Sequence, residues 1–146
     1  MKIGVKTFEE LSNLELYQIL RLRSDIFVVE QDCVYLDLDN KDQKALHIFG
    51  TKNNEVVAYT RVFKPGDYFE NASIGRVVVA RDQRKYGYGK KIMEASIAAI
   101  EKKFPNTSIE ISAQSYLLKF YADLGFAAFG EEYLEDGIPH TRMLRS

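Results

Sequence analysis

The chain has 146 residues, 46% of them apolar, which suits one domain spanning residues 1–146 and excludes a disordered chain. A net charge of −1 gives no global basic field for nucleic acid, and the apolar runs are too short to cross a membrane. A single cysteine excludes an internal disulfide framework. The expectation is a cytoplasmic protein, monomer or homodimer, with no nucleic-acid or membrane partner.

The first third of the chain predicts a strand followed by a helix. Residues 3–7 form the expected strand. The spacing of Ser12 and Glu15 predicts a capping box at the start of the helix. Apolar residues at helical spacing then extend this helix to about Val29: Leu16, Ile19, Leu20 and Phe27.

The middle of the chain predicts a hairpin and then a buried strand. Residues 46–51 and 56–63 flank a turn with two asparagines, which tolerate left-handed backbone, so the two segments are expected to pair antiparallel. Residues 74–80 have the β-branched centre of a buried strand. A helix with one apolar face follows from Gly89 until Pro105 ends it.

The last third predicts a second strand–helix unit and a closing hairpin. Residues 108–113 form the strand, Ser115 is the expected N-cap, and Gly125 suits the C′ position of the helix. Segments 126–134 and 138–144 flank an Asp-Gly pair, which is typical of a hairpin turn. The order indicates a mixed α and β sheet.

The segment between the buried strand and the next helix favours an anion. Backbone N–H groups at a helix N-terminus attract negative charge, and Gly87 and Gly89 let a phosphate approach closely. A P-loop requires glycine at position 84 and a dinucleotide fingerprint requires glycine at 92, so both nucleotide motifs are excluded. Five basic residues give this segment local positive charge: Arg81, Arg84, Lys85, Lys90 and Lys91.

These residues resemble a family signature. Val77-Val78-Val79 followed by Arg84-x-x-Gly87-x-Gly89 resembles the acetyl-CoA signature of the GNAT-type N-acetyltransferases. Other segments are similar to the ElaA-like branch of that family: residues 22–31, 74–76, 113–114, 120–126 and 135–140. The resemblance implies a single-domain α/β (α+β) fold with a mixed, mostly antiparallel sheet flanked by helices. Its central parallel strands, 77–80 and 108–113, would splay apart to admit the pantetheine arm.

The resemblance also implies a donor, an acceptor and a set of site residues. Acetyl-CoA would be the acetyl donor, an amine of a small molecule or peptide the acceptor, and no metal is implied. Lys85 and Tyr86 stand inside a turn where the family often has small residues, and Gln114 stands where asparagine is frequent. The implied cofactor-binding residues are Val77, Val78, Val79, Arg84, Lys85, Tyr86, Gly87, Tyr88, Gly89, Lys90, Gln114 and Tyr121.

Acyl transfer also needs proton-transfer groups. Tyr121, four residues before Gly125, occupies the position that in the family faces the CoA sulfur and stabilises the departing thiolate, although ordinary core packing also explains an aromatic there. The candidate bases or water relays are Glu30, Glu110, His47 and His140, with Glu110 expected to face solvent. Glu30 and His140 join Tyr121 as the predicted catalytic residues. The oxyanion is expected to meet a backbone N–H around Val77.

Structural explanations are preferred for the other reactive side chains. Cys33 is expected to be a structural thiol, and each histidine is more often a satisfied or surface residue than a metal ligand. Arg23, on the apolar stripe of the first helix, is expected to pair with a buried acid such as Glu30 or to extend to solvent. Two groups of acids are expected to be surface charge, with attraction of a cationic amine as the alternative: Asp37, Asp39 and Asp42, and Glu131, Glu132, Glu135 and Asp136.

Three functions remain open at this point. The first is an acetyl-CoA-dependent N-acetyltransferase acting by direct transfer in a ternary complex. The second is a CoA-binding sensor or interaction module without acceptor chemistry. The third is a weak nucleic-acid binder that uses the basic segment of residues 81–91. The first is preferred because of Tyr121.

Overall fold

The computed structural model describes residues 1–146 as a seven-stranded sheet with helices on both faces. The strands are β1 (Lys2–Thr7), β2 (Leu46–Lys52), β3 (Glu55–Phe63), β4 (Ala72–Val79), β5 (Ile109–Gln114), β6 (Ala127–Glu135) and β7 (Ile138–Arg145). The α-helices are α1 (Asn13–Arg23), α2 (Tyr88–Lys103) and α3 (Leu118–Ala122). The strand order is β1-β2-β3-β4-β5-β7-β6. No helix has the length and apolar character needed to cross a bilayer.

The two central strands run parallel and then separate, as predicted. All neighbouring strands pair antiparallel except β4 and β5. The parallel pair is joined only at Ala72 with Ile109 and at Ser73 with Glu110. Beyond Ser73 the strands diverge, and the gap between them opens toward the start of α2.

The first helix begins as predicted and changes form before its end. The Ser12 hydroxyl accepts from the Glu15 N–H at 3.0 Å, and the Glu15 carboxylate accepts from the Ser12 N–H at 2.8 Å, which completes the capping box. The prediction of one α-helix to about Val29 is wrong in its second half, because residues Ser24–Glu30 form a π-helix. Wider π-helical turns are frequent at functional sites.

The predicted hairpins have the expected turns. Asn53 and Asn54, between β2 and β3, have φ values of 53° and 65°. Asp136 and Gly137, between β6 and β7, have φ values of 51° and 76°. Two successive residues with positive φ are typical of the turns that match the twist of a hairpin.

The last helix differs from the prediction at one end and agrees with it at the other. Ser115 does not cap α3: it begins a short 3₁₀ turn, and its hydroxyl bonds the Thr141 hydroxyl at 2.9 Å. Gly125 does occupy C′, with φ of 95°. Its N–H donates to Ala122 O and the Phe126 N–H donates to Tyr121 O, which is the Schellman arrangement.

Two apolar clusters hold the helices against the sheet. The larger joins α2 and α3 to one face of the central strands, with Ile92, Met93 and Ile100 at most 1% exposed. The smaller joins α1 to the opposite face through Ile19, which is fully buried. Alternating side chains of β2 serve both clusters, which fixes the strand register.

The segment of residues 37–42, here called the acidic segment, is tied to the sheet by buried arginines. Arg23 is fully buried and donates to Asp37 at 2.9 Å and to Asp42 at 2.8 Å. Arg61, 1% exposed, bonds Asp39 at 2.7 Å and Asp42 at 2.9 Å. The expectation that Arg23 pairs with a buried acid is confirmed, although the acids are Asp37 and Asp42 and not Glu30. The expectation that these three aspartates are surface charge is wrong, because charges removed from water require opposite charges beside them.

Candidate active site

A cavity of about 600 Å³ lies where β4 and β5 separate. Its walls come from the π-helix Ser24–Glu30, from β4 and β5, from the start of α2, from α3 and from the turn between β6 and β7. A missing ladder between adjacent strands leaves backbone N–H and C=O groups free for a ligand. The cavity lining is polar near the start of α2, where Arg84 and Lys90 lie, and apolar along Val77–Val79 of β4.

The glycine-containing turn supplies the cationic end of the cavity. Residues Arg81–Tyr86 form a 3₁₀ helix, and Gly87 follows with φ of 72°, a left-handed conformation that favours glycine. α2 then begins at Tyr88 with no acidic side chain in its first turn. The first N–H groups of a helix have no partner within it, so they are available to an anion here.

Most of the predicted cofactor-binding residues lie together around the cavity. Three of them do not line it: Lys85, Tyr86 and Tyr88. Tyr86 instead stacks under Lys52, whose Nζ is 4.0 Å from the ring centroid, and Tyr88 is 6% exposed in the larger apolar cluster. Those that line the cavity are Val77, Val78, Val79, Arg84, Gly87, Gly89, Lys90, Gln114 and Tyr121.

Tyr121 projects from α3 into an aromatic wall of the cavity. Its ring meets Phe120 and Phe126 edge-on, at centroid distances of 5.0 Å and 6.2 Å. Burial raises the pKa of Tyr121 above its ordinary value. A phenol in this state donates a hydrogen bond more readily than it gives up its proton.

Glu30 lines the cavity but is held by an ion pair. Arg84 donates to its carboxylate through Nη1 at 3.0 Å, and Arg81 Nε lies 3.6 Å from it. The hydrogen bond from Arg84 lowers the pKa of Glu30. A carboxylate stabilised in this way is a weak proton acceptor.

His140 lines the cavity from β7, and one of its ring nitrogens is already hydrogen-bonded. Nδ1 lies 2.7 Å from Ile138 O, and a carbonyl only accepts, so Nδ1 carries the hydrogen. Nε2 then holds the lone pair, 3.4 Å from Glu135 Oε2. A histidine that is oriented by one hydrogen bond and lines the cavity is suited to proton transfer.

The other two candidate relays lie outside the cavity lining. Glu110 is not exposed as expected: it is 3% exposed and accepts from Arg142 at 2.9 Å and 2.6 Å. His47 is a satisfied core residue, as predicted. Its ring bonds Tyr59 Oη at 2.6 Å and Asp42 O at 2.9 Å, and burial lowers its pKa.

Several side chains at the cavity were not predicted from the sequence. Cys33 lines it, and its thiol donates to Asp136 O at 3.4 Å, which links the segment after the π-helix to the β6–β7 turn. Ser112, hydrogen-bonded to Tyr133, lines it from β5. Period-two alternation along β5 was the available signal for Ser112. No local signal exists for Cys33, because its neighbour is 103 residues away.

A β-bulge interrupts β4 at the cavity. The pairing register shifts between Tyr59 and Arg61, so Arg76 and Val77 together oppose the one residue between them. Arg76 has φ of 51°, although it is not glycine. Both bulge residues line the cavity. A bulge leaves the extra residue out of the ladder and turns the strand locally.

Comparison with known proteins identifies the same family over most of the chain. Residues 25–146 match the family model described as an acetyltransferase (GNAT) domain. Protein ElaA of Escherichia coli is 41% identical over 138 residues, which cover 93% of this chain and 90% of that protein.

Solved structures of the same size superimpose closely. The crystal structure of Escherichia coli ElaA has a TM-score of 0.94 at 37% identity, and it covers 100% of both chains. An acyl-CoA N-acyltransferase from Pseudomonas aeruginosa has a TM-score of 0.95 at 36% identity, also over 100% of both chains. The splayed parallel strands, the glycine-containing turn and these matches lead to one conclusion: the chain belongs to the GNAT acetyltransferase family, in its ElaA-like branch, and is an acyltransferase.

Proposed function

We propose that the protein transfers an acetyl group from acetyl-CoA to an amine by direct attack in a ternary complex. The observation that carries this proposal is the gap between β4 and β5, which opens beside the N-terminus of α2. An extended pantetheine arm can use unpaired strand groups in the manner of an added strand. In this account acetyl-CoA supplies an activated thioester, and the chain supplies binding, orientation and proton transfer.

The donor is proposed to lie along β4 with its phosphates at the glycine-containing turn. Val77, Val78 and Val79 border the apolar length of the gap, and Gln114 borders its far wall. Lys90 and the first N–H groups of α2 supply positive charge at the phosphate end. Arg84 adds a guanidinium there, oriented by Glu30.

Tyr121 is proposed to stabilise the departing thiolate by a hydrogen bond. Its position in the cavity wall and its raised pKa both support donation of a hydrogen bond over full proton transfer. A phenol of ordinary pKa ~10 is already a poor acid toward a thiolate of pKa ~8.5, and burial widens that difference.

His140 is proposed to be the base that accepts the amine proton. An alkylamine of pKa ~10.4 is neutral in about one molecule in 2,500 at pH 7, so a base helps greatly. Nε2 of His140 makes no hydrogen bond and lies 3.4 Å from Glu135 Oε2, whereas Glu30 is bound to Arg84 and Glu110 to Arg142. The geometry therefore favours His140 over Glu30 for this step.

The acceptor is proposed to be a cationic amine. The aspartates of the acidic segment are neutralised by arginines and exert little attraction on a ligand. Glu135 and Asp136 line the cavity beside His140, without a Lys or Arg partner. Two carboxylates at this place attract a protonated amine before it loses its proton.

The reducing cytoplasm is the proposed compartment, supported by the free thiol of Cys33.

The test is an acceptor screen with two readouts. The protein is incubated with acetyl-CoA and a panel of alkylamines, arylamines and peptides, and free thiol and acetylated product are measured together. Thiol release that depends on the acceptor, with stoichiometric acetylated product, supports the proposal. Tight binding of coenzyme A with no acceptor-dependent thiol release across the panel would instead identify a CoA-binding sensor.

A further inference from the structure

The β4 bulge contains a side chain at a position that favours glycine. Arg76 has φ of 51°, a left-handed backbone conformation that is strained for any residue with a Cβ. The chain has a glycine one residue earlier, at Gly75, which is not among the residues with positive φ. Such a strained position persists only where surrounding contacts fix it.

The Arg76 side chain is held by Asp37, which is itself held by Arg23. Its Nε lies 2.8 Å from Asp37 Oδ1, and its Nη2 donates to Asp37 O at 3.0 Å. Nη2 also lies 3.5 Å from Asp39 Oδ2. Asp37 is 3% exposed and is held from its other side by the fully buried Arg23. The anchor of the bulge is therefore the acidic segment, which is clamped to the core.

We propose that Arg76 is a positioning residue for acyl transfer. Its ion pair with Asp37 holds the bulge so that a backbone N–H near Val77 points into the cavity at the thioester carbonyl. Arg76 itself does not act on the substrate. This inference rests on the proposed acyltransferase function, because that N–H matters only if negative charge develops on a carbonyl oxygen beside it.

The proposal follows from what such a donor requires. A backbone donor stabilises an oxyanion only when it is already oriented, since it gains nothing if it must reorganise during the reaction. A bulge is the local device that releases an N–H from the ladder, and a strained bulge needs an external anchor to persist. The ion pair between Arg76 and Asp37 of the acidic segment is that anchor, and the adjacent β4 residues line the cavity.

The experiment compares Arg76→Ala and Arg76→Lys with a matched control, Arg145→Ala. Arg145 also combines an ion pair, to Glu101 at 3.3 Å, with a hydrogen bond to a carbonyl, Leu124 O at 3.1 Å, and it does not line the cavity. We expect Arg76→Ala to lower kcat by roughly 10- to 100-fold while the Kd for coenzyme A changes less than about twofold. Arg76→Lys should recover part of that loss, because an ammonium keeps the charge without the planar fork.

A second readout does not depend on activity. Hydrogen–deuterium exchange should be faster in peptides covering residues 72–80 of both Arg76 variants and unchanged there in Arg145→Ala. Wild-type kcat in folded Arg76→Ala would overturn the proposal. So would parallel losses of kcat, coenzyme A affinity and thermal stability, which indicate a general structural role. If Arg76→Ala does not fold, Arg76→Lys decides between these outcomes.

The two proposals fail in different ways. A wild-type protein that releases no thiol with any acceptor defeats the proposed function, and the exchange experiment still measures whether Arg76 anchors the bulge. An active wild-type protein whose folded Arg76 variants retain full kcat defeats only the positioning role.

Discussion

The hydroxyl of Tyr121 and the Nε2 ring nitrogen of His140 are the two groups on which the proposed chemistry depends. Tyr121 is 6% exposed and packs edge-on against Phe120 and Phe126, and a hydrogen bond is electrostatically stronger in such a buried place than in solution. His140 is oriented by one carbonyl and flanked by one carboxylate. In the proposed mechanism Tyr121 acts on the leaving group and His140 on the attacking amine.

At this scale, removal of the Tyr121 hydroxyl should affect turnover more than binding. Tyr121→Phe removes one hydrogen bond to the leaving group, so we expect kcat to fall about 10-fold. The Kd for coenzyme A should stay the same, because the ring and its edge-on contacts are kept. Steady-state kinetics with acetyl-CoA and calorimetry with coenzyme A measure the two quantities. Unchanged turnover would remove Tyr121 from the mechanism.

The proposed role of His140 as the base can be tested by comparing two classes of amine acceptor. His140→Gln should lower kcat/KM for an alkylamine by about 100-fold, because the protonated amine then has no acceptor for its proton. An arylamine of low pKa is already neutral and serves as the control substrate, for which we expect a much smaller loss. Equal losses for both amines would contradict the assignment of His140 as the base.

The elements around the cavity have their shapes imposed by a few backbone positions. The glycine-containing turn depends on left-handed backbone at Gly87, and the π-helix Ser24–Glu30 widens the end of α1 so that Ile26, Phe27 and Glu30 reach the cavity. The acidic segment is held by three arginines from three different elements. These features shape the gap between β4 and β5.

A methyl group at Gly87 tests the turn. A Cβ there meets no atom within 4 Å, so Gly87→Ala should destabilise the fold only through its φ of 72°, by about 1–2 kcal/mol, and should also weaken coenzyme A binding. Gly130→Ala is the matched control, with φ of 73°, no neighbour within 4 Å and no place in the cavity lining. Denaturant unfolding and calorimetry should show equal destabilisation and a binding loss for Gly87→Ala alone.

The acidic segment should make the protein sensitive to acid. Burial opposes ionisation of Asp39, but its bonds to Arg61 lower its pKa to about 2, against ~3.9 in an unfolded chain. Because the folded pKa is the lower one, this stabilisation is complete above about pH 4 and is lost as the pH falls toward 2. Its size is about 2 kcal/mol.

The corresponding variant is Asp39→Asn, followed by urea unfolding from pH 7 to pH 2. We expect a free energy of unfolding about 2 kcal/mol lower at pH 7, with the difference from wild type closing below about pH 4. Asp123→Asn, at an exposed aspartate, is the control and should show no such pH dependence. If the difference in free energy of unfolding between wild type and Asp39→Asn stayed constant from pH 7 to pH 2, the charge of Asp39 would not be what stabilises the fold.

Regular elements were predictable from the sequence because their signals are local. The capping box at Ser12, the Asn-Asn turn and the left-handed Gly125 each depend on neighbours within a few residues, and all three have the expected conformations. The π-helix, the bulge at Arg76 and the pairing of Arg23 with Asp37 depend on contacts between distant segments. No periodicity in the chain encodes such contacts, so the sequence predicts neither the Asp37 partner of Arg23 nor the burial of the acidic segment.

Over the whole molecule, charge of both signs borders one cavity. Lys90 and the start of α2 make the region at the glycine-containing turn positive, while Glu135 and Asp136 make the region at the β6–β7 turn negative. The net charge of the chain is only −1, so this separation is local and the total charge does not reveal it. In the proposed function, the positive region attracts an anionic donor, the negative region attracts a cationic acceptor, and Tyr121 and His140 act on the groups that react.

The most direct test is a calorimetric titration of the wild-type protein with coenzyme A at up to millimolar concentration. If the gap between β4 and β5 is the donor site, the heat should saturate with one molecule bound per chain. A titration without measurable heat at millimolar coenzyme A would contradict the central claim of a donor site in this gap.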